Sequence, residues 1–415
     1  MRLLHTSDWH LGQTLHSYDR SYEHQQFLDW LLATVVEQAV DALLIAGDIF
    51  DTANPSAAAQ KQLYRFLQQA RERAPALDII LIAGNHDSPG RLEAPGPLLE
   101  AHGTTVIGHV LRDADGAIDL DRLIVPLHDA SGVVAAWCLA IPFLRPGDVP
   151  RVAPGAADPY LDGIALLYQQ AYARAVAKSA PGQAIVAMGH CHMVDGQGSL
   201  DSERRIVIGG SEALPAAVFD AAIAYTALGH LHLAQRVGGS DLRRYCGSPI
   251  PLSFAEVGYR HQVLRVDLAG AGAPAQVEPL MVPRAVDLLR VPATPQPLEA
   301  VLLALAALEL AELPPERQPL LEVRVLLDAP EPGLRARVES ALAGKPVRLA
   351  KIEPTRKHVA GSGAVAPALS LEQLAQLQPD DIFKRLYTQR YGDDAPLDQL
   401  SAFAELLLPG AGDAA

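Results

Sequence analysis

Along the chain, short apolar runs alternate with longer segments whose apolar residues recur at helical spacing. The runs in "RLLHTSD", "VDALLIAGD", "LDIILIAGN", "QAIVAMGH" and "AIAYTALGH" each end in a polar residue. Runs this short, rich in Ile, Val and Leu, predict buried strands of an α/β sheet rather than half-exposed ones. Residues 23–39 and 56–74 carry the helical pattern and predict the first two helices. Functional side chains in such sheets gather at the carboxyl ends of the strands. Here those ends carry Asp8 and His10, Asp48, Asn85 and His86, His190, and finally His230 and His232.

The pattern changes in the last third. "LEAVLLALAALELAEL" (298–313) predicts a core helix, being shorter than the roughly 20 residues of a membrane span and interrupted by Glu299, Glu309 and Glu312. "LEVRVLL" (321–327), "PGLRARVESALAG" (332–344) and "VRLAKIEP" (347–354) alternate strand and helix, a small α+β unit without catalytic residues. "HVAGSGAVAPA" (358–368) reads as a flexible linker. Beyond it, Ser370 and Gln373 form a capping-box pattern, and Ile382, Phe383, Leu386 and Tyr387 share one helical face. The expected division is a catalytic domain over 1–275, an α+β cap over 276–357, the linker, and C-terminal helices over 369–415.

Composition leaves the class open but removes several functions. The 415 residues, 49% hydrophobic and 20% charged, make an ordinary globular chain with room for two or three domains. Cys138, Cys191 and Cys246 match no zinc or disulfide spacing, which suits a reducing compartment. The opening residues lack a signal-peptide pattern, so a soluble, cytoplasmic protein is expected. With 34 basic against 48 acidic residues the net charge is −14, a poor basis for gripping nucleic acid over the whole surface.

The polar residues at the strand exits are all Asp, Asn or His. A lone D-x-H is an ordinary strand-end turn, and Asp48 could merely cap the helix that follows it. Five exits carrying such residues in one chain point instead to metal. Carboxylate, amide oxygen and imidazole without thiolate suit manganese, iron or zinc. Two metals about 3.5–4 Å apart need a bridging group, and Asp48, alone at its exit, is the natural one. Asp8 and His10 would hold one ion. In an extended chain, His230 and His232 would face one side about 6–7 Å apart, each able to reach a different ion. Two divalent ions bring a charge of about +4, from which Asp8, Asp48 and a bridging hydroxide remove about three; the balance favours a phosphate ester. His86 is the candidate to protonate the leaving oxygen or to stabilise the transition state.

The motifs "DWH" (8–10), "GDIFD" (47–51), "GNHD" (84–87), "GH" (189–190) and "GHLH" (229–232) resemble those of the calcineurin-like metallophosphoesterases. "LLHTSDWHLGQ", "IPFLRP" (141–146) and "YCGSPIPLSF" (245–254) narrow the resemblance to the SbcD-type nuclease branch. It implies a four-layer α/β sandwich of two mixed sheets with helices outside. Asp8, His10, Asp48 and His232 would bind one metal, and Asp48, Asn85, His190 and His230 the other. His86 would be the catalytic histidine and manganese the metal, with Asp51 near the site. In "GHCHM", His192 repeats the spacing of His190, and either could be the ligand; His190 is preferred because it follows the strand directly and matches the motif. The resemblance also implies DNA as substrate, a homodimer within a heterotetramer, and an SbcC-type ATPase partner taking the C-terminal helices. A cyclic-nucleotide type phosphodiesterase and a non-catalytic metal scaffold are the alternatives; protein phosphatases of the superfamily carry "GNHE" where this chain has "GNHD".

Overall fold

The first three apolar runs and a fourth segment after them form adjacent parallel strands: β1 (Arg2–Thr6), β2 (Ala42–Ala46), β3 (Asp78–Ile82) and β4 (Thr104–Ile107). The first two loops between them carry α1 (Ser21–Glu37) and α2 (Ala57–Arg73). Ser56 starts α2 by accepting a hydrogen bond from the Ala59 amide at 3.2 Å. This computed structural model describes residues 1–152, 155, 158–194, 196–198 and 213–356, with seven further positions between 383 and 400.

The chain then builds a second sheet from β5 (Ile124–His128), β6 (Val134–Ala140), β7 (Ala184–His190), β8 (Tyr225–Gly229), β9 (Gln235–Val237) and β10 (Ser240–Tyr245). Its order is β9-β10-β8-β7-β6-β5, parallel through the centre and antiparallel at both edges. Helix α3 (Pro159–Lys178) lies on it, started by Asp158, whose carboxylate accepts from the amides of Tyr160 and Leu161. The chain returns to the first sheet with β11 (Gln262–Asp267), antiparallel to β1, and β12 (Gln276–Met281), antiparallel to β11 at the edge. β12 carries the sandwich past the boundary expected at residue 275.

The pleat of the first sheet explains the continuous apolar runs. Leu3, Leu44 and Ile80 face inward, in one core with Val186 and Ala227 of the second sheet. Their neighbours Leu4, Leu43, Ile45 and Ile79 face α1 and α2, in a core with Phe27, Leu31 and Leu63. Each strand is thus covered on both sides, and the result is the expected four-layer α/β arrangement of two mixed sheets with helices outside.

The cap is a three-stranded parallel sheet of β13 (Leu288–Pro297), β14 (Leu320–Leu327) and β15 (Arg348–Arg356), with β14 central. Helices α4 (Leu298–Ala306) and α5 (Leu334–Ala341) cover it through Val301, Leu305 and Val338. The helix expected over 298–313 is corrected: it ends at Ala306. Lys345 donates its ammonium to the carbonyls of Ala306 and Leu308, at 2.9 and 2.7 Å, satisfying the helix end. The expected linker and C-terminal helices lie outside the described residues, apart from the isolated positions.

Candidate metal centre

The carboxyl ends of the two sheets meet at one place. Two glycines make that approach possible. A Cβ on Gly229 would lie 1.9 Å from the Ala46 carbonyl oxygen, and one on Gly47 (φ +89°) 2.3 Å from Nδ1 of His190. The exits of β1, β2 and β3 therefore face those of β7 and β8 across the sandwich.

The backbone at these exits is not extended. Asp8 (φ 55°), His10 (φ 48°), Asp48 (φ 50°) and His230 (φ 104°) all have positive φ. For a residue other than glycine such backbone costs on the order of 1–3 kcal/mol and persists only where its surroundings impose it. The extended geometry expected for His230 and His232 is thus replaced by a turn, and the two rings serve different groups. Between Asp8 and His10, Trp9 goes the other way. It is buried edge-on to Phe27 and Phe66, with Nε1 donating to Thr6 Oγ1 at 2.9 Å.

Ligand-type atoms of Asp8, His10 and His232 all lie within 4.8 Å of one another, and so do those of Asp48, His190 and His230. A third set, His10, Asp48 and His86, joins them. Asp48 Oδ2 stands 3.5 Å from His10 Nε2 and 3.4 Å from His190 Nε2. Asn85 Oδ1 lies 2.9 Å from His190 Nε2 and 3.0 Å from His230 Nδ1. All seven expected ligands are therefore brought together, with Asp48 between the two groups. His192 is half-buried and belongs to neither group, its ring 6.2 Å from that of His230.

Hydrogen bonds fix the imidazoles. His190 Nδ1 pairs with the Ala46 carbonyl (2.9 Å), which must accept, so the proton is on Nδ1 and Nε2 faces Asp48 and Asn85. His10 Nδ1 pairs with Asp51 (3.2 Å), while its Nε2 is buried without a hydrogen-bond partner. His232 Nδ1 meets the buried carboxylate of Glu256 at 2.9 Å. His86 Nδ1 donates to the Asp51 carbonyl (2.7 Å), and its amide donates to Asp48 Oδ1 (2.8 Å).

Electrostatics follow from this crowding. Burial alone would raise the pKa of Asp48, but His190, His10 and His86 hold it well below the carboxylate range. Burial would lower His190, yet Asp48, with Asp8 behind it, pushes it up to about 9. In this buried pair each partner favours the charged form of the other. His230 goes the opposite way, held well down by burial and by His190. Metal would have to displace the proton on His190.

Two supporting residues carry roles that the motifs alone did not assign. Asp87 accepts from the amides of Ile49, Phe50 and Gly84 at 3.1, 2.9 and 2.9 Å, tying the second motif to the third. Burial and the nearby Asp48 push its pKa up to about 6. Its position in "GNHD" was visible; its partners Ile49 and Phe50, backbone amides of another loop, were not. Glu256 lies just past the "YCGSPIPLSF" stretch and had no motif to mark it.

Comparison with known proteins gives a consistent picture. A family model for calcineurin-like phosphoesterases matches residues 1–234. A second, described as a type 5 capsule protein repressor C-terminal domain, matches residues 284–391. The chain is 40% identical over 387 residues to the SbcD component of the SbcCD nuclease of Rhodobacter capsulatus, covering 92% of this chain and 93% of that one. The proteins of the same name from Escherichia coli K12 and Bacillus subtilis 168 are 40% identical over 292 residues and 35% identical over 274. The first pair of chains is covered 68% each way; for the second, coverage is 64% of this chain and 66% of the other.

Proposed function

The chain belongs to the calcineurin-like phosphoesterase family and, within it, to the SbcD nucleases, and from that premise we propose that it is a metal-dependent DNA nuclease subunit working with an SbcC-type ATPase. The observation that carries the reading is the pair of three-residue groups meeting at Asp48, with His10 Nε2 buried and unpaired beside it. An unpaired buried nitrogen costs on the order of 1–3 kcal/mol, a cost that a coordinated cation removes. The residues therefore fit two divalent ions. One would be held by Asp8, His10, Asp48 and His232, the other by Asp48, Asn85, His190 and His230. The donor set of oxygen and imidazole nitrogen suits manganese, and manganese is the metal of this proposal.

When bound, such ions supply positive charge to a phosphodiester and acidify a water at neutral pH. The chain's own residues do the rest. Asp48, fixed through Oδ1 by the His86 amide, keeps Oδ2 between the two histidine groups. His86 has Nδ1 committed to the Asp51 carbonyl, so any proton it exchanges with the leaving oxygen passes through Nε2. His190, locked by Ala46, keeps Nε2 at the centre as a ligand.

In this reading the α+β cap that follows β12 shapes the DNA groove and residues 369–415 dock the ATPase. The chain acts as a homodimer within a heterotetramer, in the cytoplasm, on repair, recombination and replication intermediates. Among the described residues no helix is long and apolar enough to cross a membrane.

The test is cleavage of a double-stranded DNA end with Mn²⁺, comparing the full chain with a variant lacking residues 366–415, each with and without an SbcC-type ATPase and ATP. Stimulation of the full chain alone is expected. Absence of DNA cleavage under every condition, with brisk hydrolysis of a cyclic nucleotide, would transfer the chain to the small-substrate reading.

A further inference from the structure

Behind the metal centre, one segment outside the span of the phosphoesterase family model touches three of the site's motifs. It runs from Tyr245 to Glu256. Tyr245, fully buried, accepts a hydrogen bond from the Met193 amide at 3.0 Å and donates its hydroxyl to the Cys191 carbonyl, holding the turn after His190. Cys246 Sγ lies 3.1 Å from Ser7 Oγ, and that hydroxyl donates to the Asp8 carboxylate. Ser248 donates its amide to the His232 carbonyl at 3.1 Å. Gly247 permits this approach, since a Cβ there would lie 2.6 Å from the same carbonyl oxygen.

Glu256 closes the segment. Its side chain is fully buried, with Oε1 2.9 Å from His232 Nδ1. Oε2 accepts from the Leu252 amide at 2.8 Å and from the Ser248 hydroxyl at 3.3 Å. The segment is anchored from the far side as well. Gln13 donates to the Leu252 carbonyl, and the buried Arg20, paired with Glu23, donates to that of Pro251.

We propose that Glu256 is the positioning residue for His232, and that residues 245–256 form a brace that holds the metal-binding turns in register. This rests on the two-metal reading above. A carboxylate at Nδ1 fixes the proton there, which leaves the Nε2 lone pair for an ion and raises its basicity. The two oxygens of the buried acid are thus divided, Oε1 toward the imidazole and Oε2 toward the chain's own turn. A purely structural acid closing the 252–256 turn would need only the Leu252 amide. The same brace reaches Asp8 through Cys246 and Ser7, so both residues act on one ion, that of Asp8, His10 and His232.

The experiment is Mn²⁺ titration of the full chain followed by electron paramagnetic resonance, in which the spin-coupled signal appears only when both positions are filled. Glu256→Gln keeps the shape and one acceptor but removes the charge. Equal melting temperatures of the metal-free proteins show whether its fold is intact. The expected result is a loss of about 10- to 100-fold in affinity for one ion, with the other retained and the coupled signal appearing only at higher Mn²⁺. Ser7→Ala, a small change on the other arm of the brace, should weaken the same ion in the same direction. Affinities for both ions equal to wild type in both variants would overturn the proposal and leave Glu256 a packing residue. A wild-type chain that never shows the coupled signal would instead contradict the two-metal reading itself.

Discussion

His86 stands half-buried at the edge of the Asp48 group, its ring 4.7 Å from that of His10 and its Nδ1 spent on a backbone carbonyl. It shares a group of possible ligand atoms with His10 and Asp48, but the proposed assignment of two ions to seven residues does not use it. Its replacement by alanine should leave Mn²⁺ stoichiometry unchanged and lower hydrolysis by roughly 10²–10⁴-fold, the usual worth of a general acid. Metal analysis beside a rate measurement checks both halves; turnover at the wild-type rate would remove His86 from the mechanism. At this scale the sequence was most readable where chemistry is carried by unusual residue types at strand exits. Asp8, His10, Asp48, Asn85, His190, His230 and His232 stood out because packing gives no reason for them there. Asp87 and Glu256 did not, because their work is done on partners in other loops. Glu256 lies 24 positions from His232 in the chain, a distance that no local spacing reveals.

At the level of elements, the apolar runs told the strands correctly because each is sandwiched between a helix layer and the opposing sheet. The positive φ values at Asp8, His10, Asp48 and His230 were not legible, since Asp and His favour such backbone only weakly and adopt extended or helical backbone far more often. The end of α4 escaped for a different reason: Lys345, whose ammonium donates to the Ala306 carbonyl, belongs to a later loop. The same elements bury two histidines away from the metal centre. His5 of β1 reaches across to the Tyr225 hydroxyl at 2.8 Å, and His24 of α1 is fully buried. Burial, helped by Arg244 and Arg20 respectively, lowers the pKa of each to about 3. In the unfolded chain they would take up protons near pH 6.5, so between about 6.5 and 3 the unfolded state binds more of them. Their contribution is complete above pH 6.5 and is lost as pH falls below it, about 2 kcal/mol for each by pH 5. Denaturant midpoints at pH 7 and pH 5 should show the drop, and His24→Leu should show less of it. An equal drop in the variant would mean that His24 is protonated in the folded state.

For the whole molecule, the puzzle is a net charge of −14 on a chain whose proposed substrate is a polyanion. Affinity for DNA depends on neutralised phosphates and falls steeply with salt. The proposed site answers part of this, because two divalent ions offset the local carboxylates where the phosphodiester must sit. The remainder falls to the ATPase partner. The isolated chain should therefore bind duplex DNA weakly at 200 mM salt and more tightly as salt is lowered, measured by fluorescence anisotropy. Tight binding at 200 mM without a partner would show that a basic surface has been overlooked. The division of labour between chains is what this sequence displayed least: a family resemblance named the partner, while the docking region expected over 369–415 lies outside the described residues.

The most direct test of the central claim is to strip the chain of metal and restore Mn²⁺ stepwise while following both metal bound and cleavage of a DNA end. Two ions meeting at Asp48 predict negligible cleavage at one equivalent and full activity only as the second binds. Full activity with a single equivalent, or in a metal-free chain, would contradict the account.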